Sequence, residues 1–513
     1  MKFIIFLLIL TPFVNYCSPN DVKQEVIETL LPLELVSIIT FPKNYQFYAR
    51  DSNNKALIPI TGTAESVVDS LIIRVHQNNG IVTRTAFHAV TNFSLNVEIE
   101  ALLHNYTIEL FSKLKDEETL VASATNVTAG DVYVISGQSN AWATDWDNVY
   151  NDEDLPPNAQ WVRTIGAMHV YNKSAIYPEA KNTDWYLARG KAPVSIDGGQ
   201  LIGNAMIGVL GMNVGLNLVK SEVVPIAIIN GAGGGGAISF YQKTENYDLD
   251  MPYGRLQYRL EASGLKDKIK AFIWNQGENN AGDDVIDYKK ALNTLYSSLK
   301  EDYYFEKFYV IQTPPGCNSK SGHQTIREAQ RRFVEENENV NIITRHGFST
   351  NPKTLDGDYF MPDGCHYHAH GYEVLADWIA NKARYDFYGE TLDYEAPKVI
   401  SVKSVSSTIL VIEFDKAVII QSDLLVDGVL YSIKDNLFAI NSTRTTSISN
   451  IEVLHENKKK VRLIFSDQTI SIGDTLTYML NDNYPSTSIT YRGPWIVDFN
   501  SGVGAIGFTI TIE

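Results

Sequence analysis

Two hydrophobic rhythms predict an α/β protein, a parallel sheet with helices on both faces, flanked on each side by a β-sandwich. Between about residues 131 and 390, short β-branched runs alternate with stretches of helical periodicity. Before and after them, apolar residues recur at every second position between Asn, Gly and Asp turns. A chain of 513 residues is also too long for one ordinary domain, so two or three are expected.

Residues 1–19 read as a secretory signal: Lys2 gives a positive start, and 3–14 is apolar apart from Thr11 and Pro12, too short to span a bilayer. An exported protein is therefore expected, in a periplasm, outside the cell or in the lumen of a secretory pathway. Residues 33–127 carry the runs Leu57 to Ile60, Ser70 to Val75, Ile81 to Thr85, Phe93 to Ile99 and Tyr106 to Phe111, with turns such as Asn78-Asn79-Gly80, and read as an N-terminal immunoglobulin-like sandwich. In 128–390, strand-like runs at 132–135, 224–229, 271–274, 308–312 and 340–344 alternate with helical patterns near 201–219, 288–303, 326–336 and 371–385. Ligands of such sheets bind outside the carboxyl ends of the strands. Past Pro397 the β rhythm returns, placing a boundary near 392 and a second immunoglobulin-like sandwich over 392–513.

The formal net charge of −17 argues against nucleic acid and anionic lipid as partners, since both call for a basic patch. No segment after the signal is long and apolar enough for a membrane helix. Beyond the signal only Cys317 and Cys365 remain, which in an oxidising compartment either close one disulfide or stay as two buried thiols. Closed, the bridge would pin the loop holding Cys365 to the segment after the 308–312 strand. Sequons stand at Asn92, Asn105, Asn126, Asn172 and Asn441. The sequence leaves the oligomeric state open.

Four motifs carry chemistry. Ser139 follows Gly137 at the end of the run Val132 to Ile135, where a sharp turn lifts a nucleophile out of the core. The stretch Gly231-Ala232-Gly233-Gly234-Gly235-Gly236 matches a dinucleotide fingerprint mechanically, but no convincing helix follows it. Consecutive glycines also let backbone N–H groups approach a reacting oxygen. Gln276, in Asn275-Gln276-Gly277-Glu278-Asn279-Asn280, places an amide donor at the end of another strand. Asp363 and His366 lie three apart across a glycine-containing loop, so one turn can bring carboxylate and imidazole together, with His368 and His370 as competing imidazoles. No ligand spacing such as His-Glu-x-x-His occurs, and neither metal nor cofactor is expected.

In the order Ser139, Gly234-Gly235, Gln276, Asp363-His366 the chain resembles the SGNH (GDSL-type) hydrolases and, within them, the sialate O-acetylesterase-like family of carbohydrate acetylesterases. The matching stretches are Gly137-Gln138-Ser139-Asn140, Gly234-Gly235 followed by Ile238, Gln276-Gly277-Glu278, and Asp363-x-x-His366-Tyr367 with Gly371-Tyr372. The resemblance covers 128–390. It implies a three-layer, flavodoxin-like hydrolase domain that removes acetyl groups from sugar hydroxyls, with sialic acids as the substrate class. It makes Ser139 the nucleophile, His366 the base and Asp363 its orienter. The oxyanion hole would come from N–H groups of Ser139 and Gly234 or Gly235 and the side chain of Gln276, with Gln138 and Glu278 binding substrate. The superfamily's Gly-x-Asn-Asp is replaced here by Gly277-Glu278-Asn279-Asn280, so Gln276 and Asn279 both stand as the amide donor. Rival readings are an acetylxylan esterase, a lipase or thioesterase on the same scaffold, and a non-catalytic carbohydrate-binding protein.

Overall fold

The computed structural model describes residues 35–513 apart from 78–79, 89–90, 146–148, 169–177, 192–194, 197–198, 201–203, 246, 315–316, 318–321, 348–364, 427–428, 437, 446, 468 and 481–493. The expected signal, the Asn172 sequon and Asp363 lie outside the described residues. Towards the N-terminus, Val36–Thr40, Lys55–Ala64 and Asn92–Glu100 form one antiparallel sheet. Lys55–Ala64 shows the two-residue period that the sequence announced, with Ala56, Ile58 and Ile60 inward and Leu57 outward. In a second sheet, Ser70–Gln77 lies between Gly80–His88 and Tyr106–Leu114.

Tyr106–Leu114 pairs in turn with β1, Glu117–Gly137, a single strand of 21 residues. As far as Val127, β1 belongs to that antiparallel sheet, and from Asp131 it runs parallel to two other strands. The change of rhythm near 128 is therefore a change of partner along one strand, with no linker between. Its second half is buried on both faces, which explains why it reads as a continuous β-branched and aromatic run.

The central sheet adds β2 (Val162–Ile165), β3 (Trp185–Leu187), β4 (Ile226–Asn230), β5 (Ile269–Asn275), β6 (Phe305–Gln312) and β7 (Val340–Thr344), in the order β3-β2-β4-β1-β5-β6-β7. All are parallel except β3, antiparallel at the edge. The chain builds one side of β1 first and then crosses to the other. The crevice above the carboxyl end of β1, between β4 and β5, is thus the switch point where such sheets take ligands.

Among the described residues six α-helices accompany the sheet: α1 (Ser139–Trp142), α2 (Gly208–Glu222), α3 (Pro252–Ser263), α4 (Val285–Asp302), α5 (His323–Glu336) and α6 (Ala369–Phe387). α2 packs on α6, and α4 on α5. The helix expected over 201–219 starts only at Gly208, whose φ of +77° turns the chain into it. Neither α3 nor β2 was expected, because both carry arginines that the fold buries, Arg255 and Arg259 in α3 and Arg163 in β2. A buried Arg removes one apolar tooth from the pattern that marks an element.

Beyond α6, Val399–Ser406, Ile409–Phe414, Lys460–Phe465 and Ile448–Val453 form one antiparallel sheet, and Phe438–Ile440, Thr475–Tyr478 and Phe508–Thr511 belong to another. This region is tied to the central sheet by buried polar bonds. Gln312 Nε2 donates to Gly507 O (3.0 Å) while Gly507 N–H donates to Gln312 Oε1 (2.8 Å), and Thr344 Oγ1 donates to Gly504 O (2.8 Å). Among the described residues no helix is long and apolar enough to cross a membrane.

Candidate active site

The turn after β1 places Ser139 at the switch point. Gly137 has φ +133°, and a Cβ there would lie 2.1 Å from Asn275 O, so no other residue fits between β1 and β5 without moving backbone. Gln138 N–H donates to Asn275 O (3.0 Å), and α1 begins at the next residue. Ser139 is 7 % exposed, at the floor of the crevice.

Its Oγ lies 2.8 Å from Nε2 of His366, a residue 227 positions away in sequence. Of the competing imidazoles, His370 turns outward, with Nδ1 3.0 Å from Glu373 Oε2 at the surface. Cys365 is bonded to Cys317, so the disulfide expected as one of two alternatives is formed, immediately before the imidazole.

After β4 the glycine stretch folds back over the crevice. Gly231 N–H donates to Ile135 O (2.8 Å) and Gly233 N–H to Gly137 O (2.9 Å), while the hydroxyl of Tyr241 holds Gly233 O. Among the described residues, no protein acceptor meets the N–H groups of Gly234 and Gly235. Ser139 N–H stands at the start of a helix, where such groups lack an intrahelical partner.

The third motif is placed differently from its sequence assignment. Gln276 is fully buried, and its amide donates to Asn280 Oδ1 (2.6 Å) and Gly236 O (3.2 Å) while accepting from Tyr288 Oη (2.9 Å). Both N–H bonds are thereby directed into the scaffold under the glycine loop. Asn279 is exposed and donates from Nδ2 to Gly235 O (2.8 Å). Gln138 and Glu278, assigned to substrate from sequence, are also interior, 3 % and 1 % exposed. Gln138 Oε1 accepts from the backbone N–H groups of Gly277 (3.2 Å) and Asn279 (3.3 Å). Glu278 Oε1 accepts from Arg345 and from Asn140 Nδ2 (2.7 Å). Burial pushes the Glu278 carboxyl up, but Arg345 and Asn140 outweigh it and hold it below the usual carboxylate range.

Two residues had no assigned role in the sequence. Asn140 Nδ2 donates also to Cys365 O (3.0 Å), its Oδ1 accepts from Tyr372 Oη (2.9 Å), and its backbone O accepts from Asn275 Nδ2 (3.0 Å). It joins the turn that holds Ser139 to the loop that holds His366. Arg345, buried beside β7, pairs with Glu278, and its carbonyl accepts from Tyr367 Oη (2.9 Å). Its position just past the carboxyl end of a strand was the available signal.

A family model described as carbohydrate esterase, sialic acid-specific acetylesterase matches residues 129–384. Among solved structures, a carbohydrate acetylesterase from Xanthomonas citri aligns over 93 % of this chain and 99 % of its own at 15 % identity, with a TM-score of 0.57. A protein from Arabidopsis thaliana aligns over 50 % and 98 % (19 % identity, TM-score 0.36), and a family two carbohydrate esterase from Cellvibrio japonicus over 69 % and 95 % (12 %, 0.28). The first of these likenesses shows a shared fold. No curated sequence relative matches.

Proposed function

Because the chain belongs, through residues 129–384, to the sialic acid-specific acetylesterase family of carbohydrate esterases, and is a carboxylic ester hydrolase, we propose that it removes acetyl groups from sugar hydroxyls by a Ser139-His366-Asp363 mechanism on an SGNH-type, flavodoxin-like domain. O-acetylated sialic acids are the substrate class we put first. The observation that carries the reading is the 2.8 Å contact between Ser139 Oγ and His366 Nε2 at the switch point of the sheet.

In this mechanism His366 Nε2 takes the Ser139 proton as Oγ attacks the acetyl carbonyl. The oxyanion is received by the N–H groups of Ser139 and of Gly234 or Gly235, with the Asn279 amide at the rim, while Gln276 braces the glycine loop from below. Collapse of the tetrahedral species breaks the ester C–O bond. The imidazolium protonates the departing sugar oxygen, and an acetyl-enzyme remains. Water, deprotonated by the same imidazole, then releases acetate. Asp363 fixes the imidazole tautomer, and Gln138 and Glu278 hold the strand ends in place. The flanking sheets we read as immunoglobulin-like sandwiches, and the destination of the chain as outside the cytoplasm.

Ser139→Ala tests the reading. Release of acetate from p-nitrophenyl acetate should fall by at least about 10³-fold, with the thermal transition nearly unchanged. Turnover close to wild type in this variant would remove the nucleophile. Comparing O-acetylated sialic acids with acetylated xylan then ranks the substrates.

A further inference from the structure

We propose that a cleft along the outer side of α2 is a subsite for the neutral glycan chain that carries the acetylated sugar. The inference rests on the esterase reading and specifies its substrate as chain-borne. The cleft holds about 860 Å³, within the roughly 300–1,000 Å³ of built ligand sites. One end is lined by Ala369, the first residue of α6. Ala369 is three residues past His366, and three residues of chain reach at most roughly 11 Å. The part of the lining that Ala369 supplies is therefore within that reach of the His366 backbone, and the lining continues along α2 as far as Val223 at that helix's end.

Its lining suits sugar. Asn213 and Asn158 each use Nδ2 on a backbone carbonyl, of Val209 (2.9 Å) and Leu216 (3.4 Å), which fixes the amides in place with their oxygens as acceptors. The half-buried Asn217, one turn beyond Asn213 on α2, makes no side-chain hydrogen bond among the described residues. An amide offers both a donor and an acceptor, and a sugar hydroxyl needs both. Tyr150 supplies an aromatic wall, its ring held so close to Gly190 that a Cβ there would lie 2.5 Å from it. A ring held in advance loses little freedom when a sugar face covers it. The charges in the lining are Asp154 and Glu373 against Lys220, so an acidic sugar gains nothing there and a neutral chain is favoured.

The test combines kinetics with binding. Along an O-acetylated sialic acid carried on none to three neutral sugars, KM should fall about 10-fold in total with kcat steady, the pattern of added binding remote from the reaction. Asn217→Trp, which fills the cleft, should abolish that gain while p-nitrophenyl acetate turnover stays within about two-fold of wild type. Calorimetry with unacetylated xylotetraose, cellotetraose and lacto-N-tetraose on the full chain reads the cleft without ester hydrolysis. At least one should bind wild type and be lost in Asn217→Trp. Failure of all three to bind, unchanged binding in the variant, or stronger binding of an acidic tetrasaccharide would overturn the subsite. Failure of the esterase reading shows separately, as wild-type protein inert towards p-nitrophenyl acetate.

Discussion

Asn140 uses its amide and its backbone carbonyl inside the protein, and each bond ends on a segment that builds the site: the imidazole loop through Cys365 O, the third motif through Glu278 and Asn275, and α6 through Tyr372. None of these bonds reaches the cleft, so the side chain acts by position. Asn140→Ala should lower kcat on p-nitrophenyl acetate by about 10–100-fold with KM little changed, the signature of misplaced reacting groups. A rise in KM alone would instead place Asn140 against substrate. The carboxylate of the proposed triad is tested by Asp363→Asn, which keeps size but reverses the tautomer it imposes and should cost about 10⁴-fold in kcat. His370→Asn should leave kcat near wild type, since that imidazole faces Glu373 at the surface.

Between neighbouring elements, the Cys317–Cys365 bridge joins the segment after β6 to the loop before α6 across 48 positions. The bridge stands one residue from an imidazole that needs its place fixed within a fraction of an ångström, whereas the elements on either side are held by their own packing. Cys317→Ser with Cys365→Ser should therefore reduce kcat by about 10-fold or more while the melting temperature moves only a few degrees. Differential scanning fluorimetry beside ester kinetics checks this, and equal losses of both would make the bridge a fold element instead. The elements were legible where apolar periodicity was clean: β7 falls where its Val-Asn-Ile-Ile-Thr pattern puts it, and α4, α5 and α6 lie within a few residues of their expected ranges. α3 was not, because Arg255 and Arg259 occupy inward positions and bond backbone carbonyls such as Ala167 O (2.9 Å) and Ile165 O (2.7 Å), a solution no periodicity reveals. The approach of Ser139 and His366 was legible from strand ends and loop spacing. The inward turn of Gln276, Gln138 and Glu278 was not, because an amide or carboxylate beside a strand end looks the same in sequence whether it faces substrate or scaffold.

Across the whole molecule, two buried imidazoles link the C-terminal sheets and the hydrolase core to pH. His346 Nε2–H donates to Ala505 O (2.6 Å) beside Trp495, and burial lowers its pKa to about 3. His323, at the start of α5, is lowered to about 4, again chiefly by burial. Free imidazoles titrate near about 6.5. Between the folded values and 6.5 the unfolded chain binds more protons, so stability rises with pH through that window and is lost on acidification. The melting temperature should fall from pH 7 to pH 4.5, and His346→Gln should flatten that slope whatever it does to stability at neutral pH. An unchanged slope would put the acid sensitivity elsewhere. β1 binds the other end of the molecule to the reaction centre, and Arg50 from the N-terminal region grips Asp131 on it through two bonds of 2.9 and 2.6 Å. Anyone building chimaeras should not cut where the residue pattern shifts near position 128, since that severs a hydrogen-bonded ribbon in mid-course. A graft of the central sheet has to begin ahead of Glu117, and inserting one residue before Asp131 would swap the inner and outer faces of every side chain leading to Ser139.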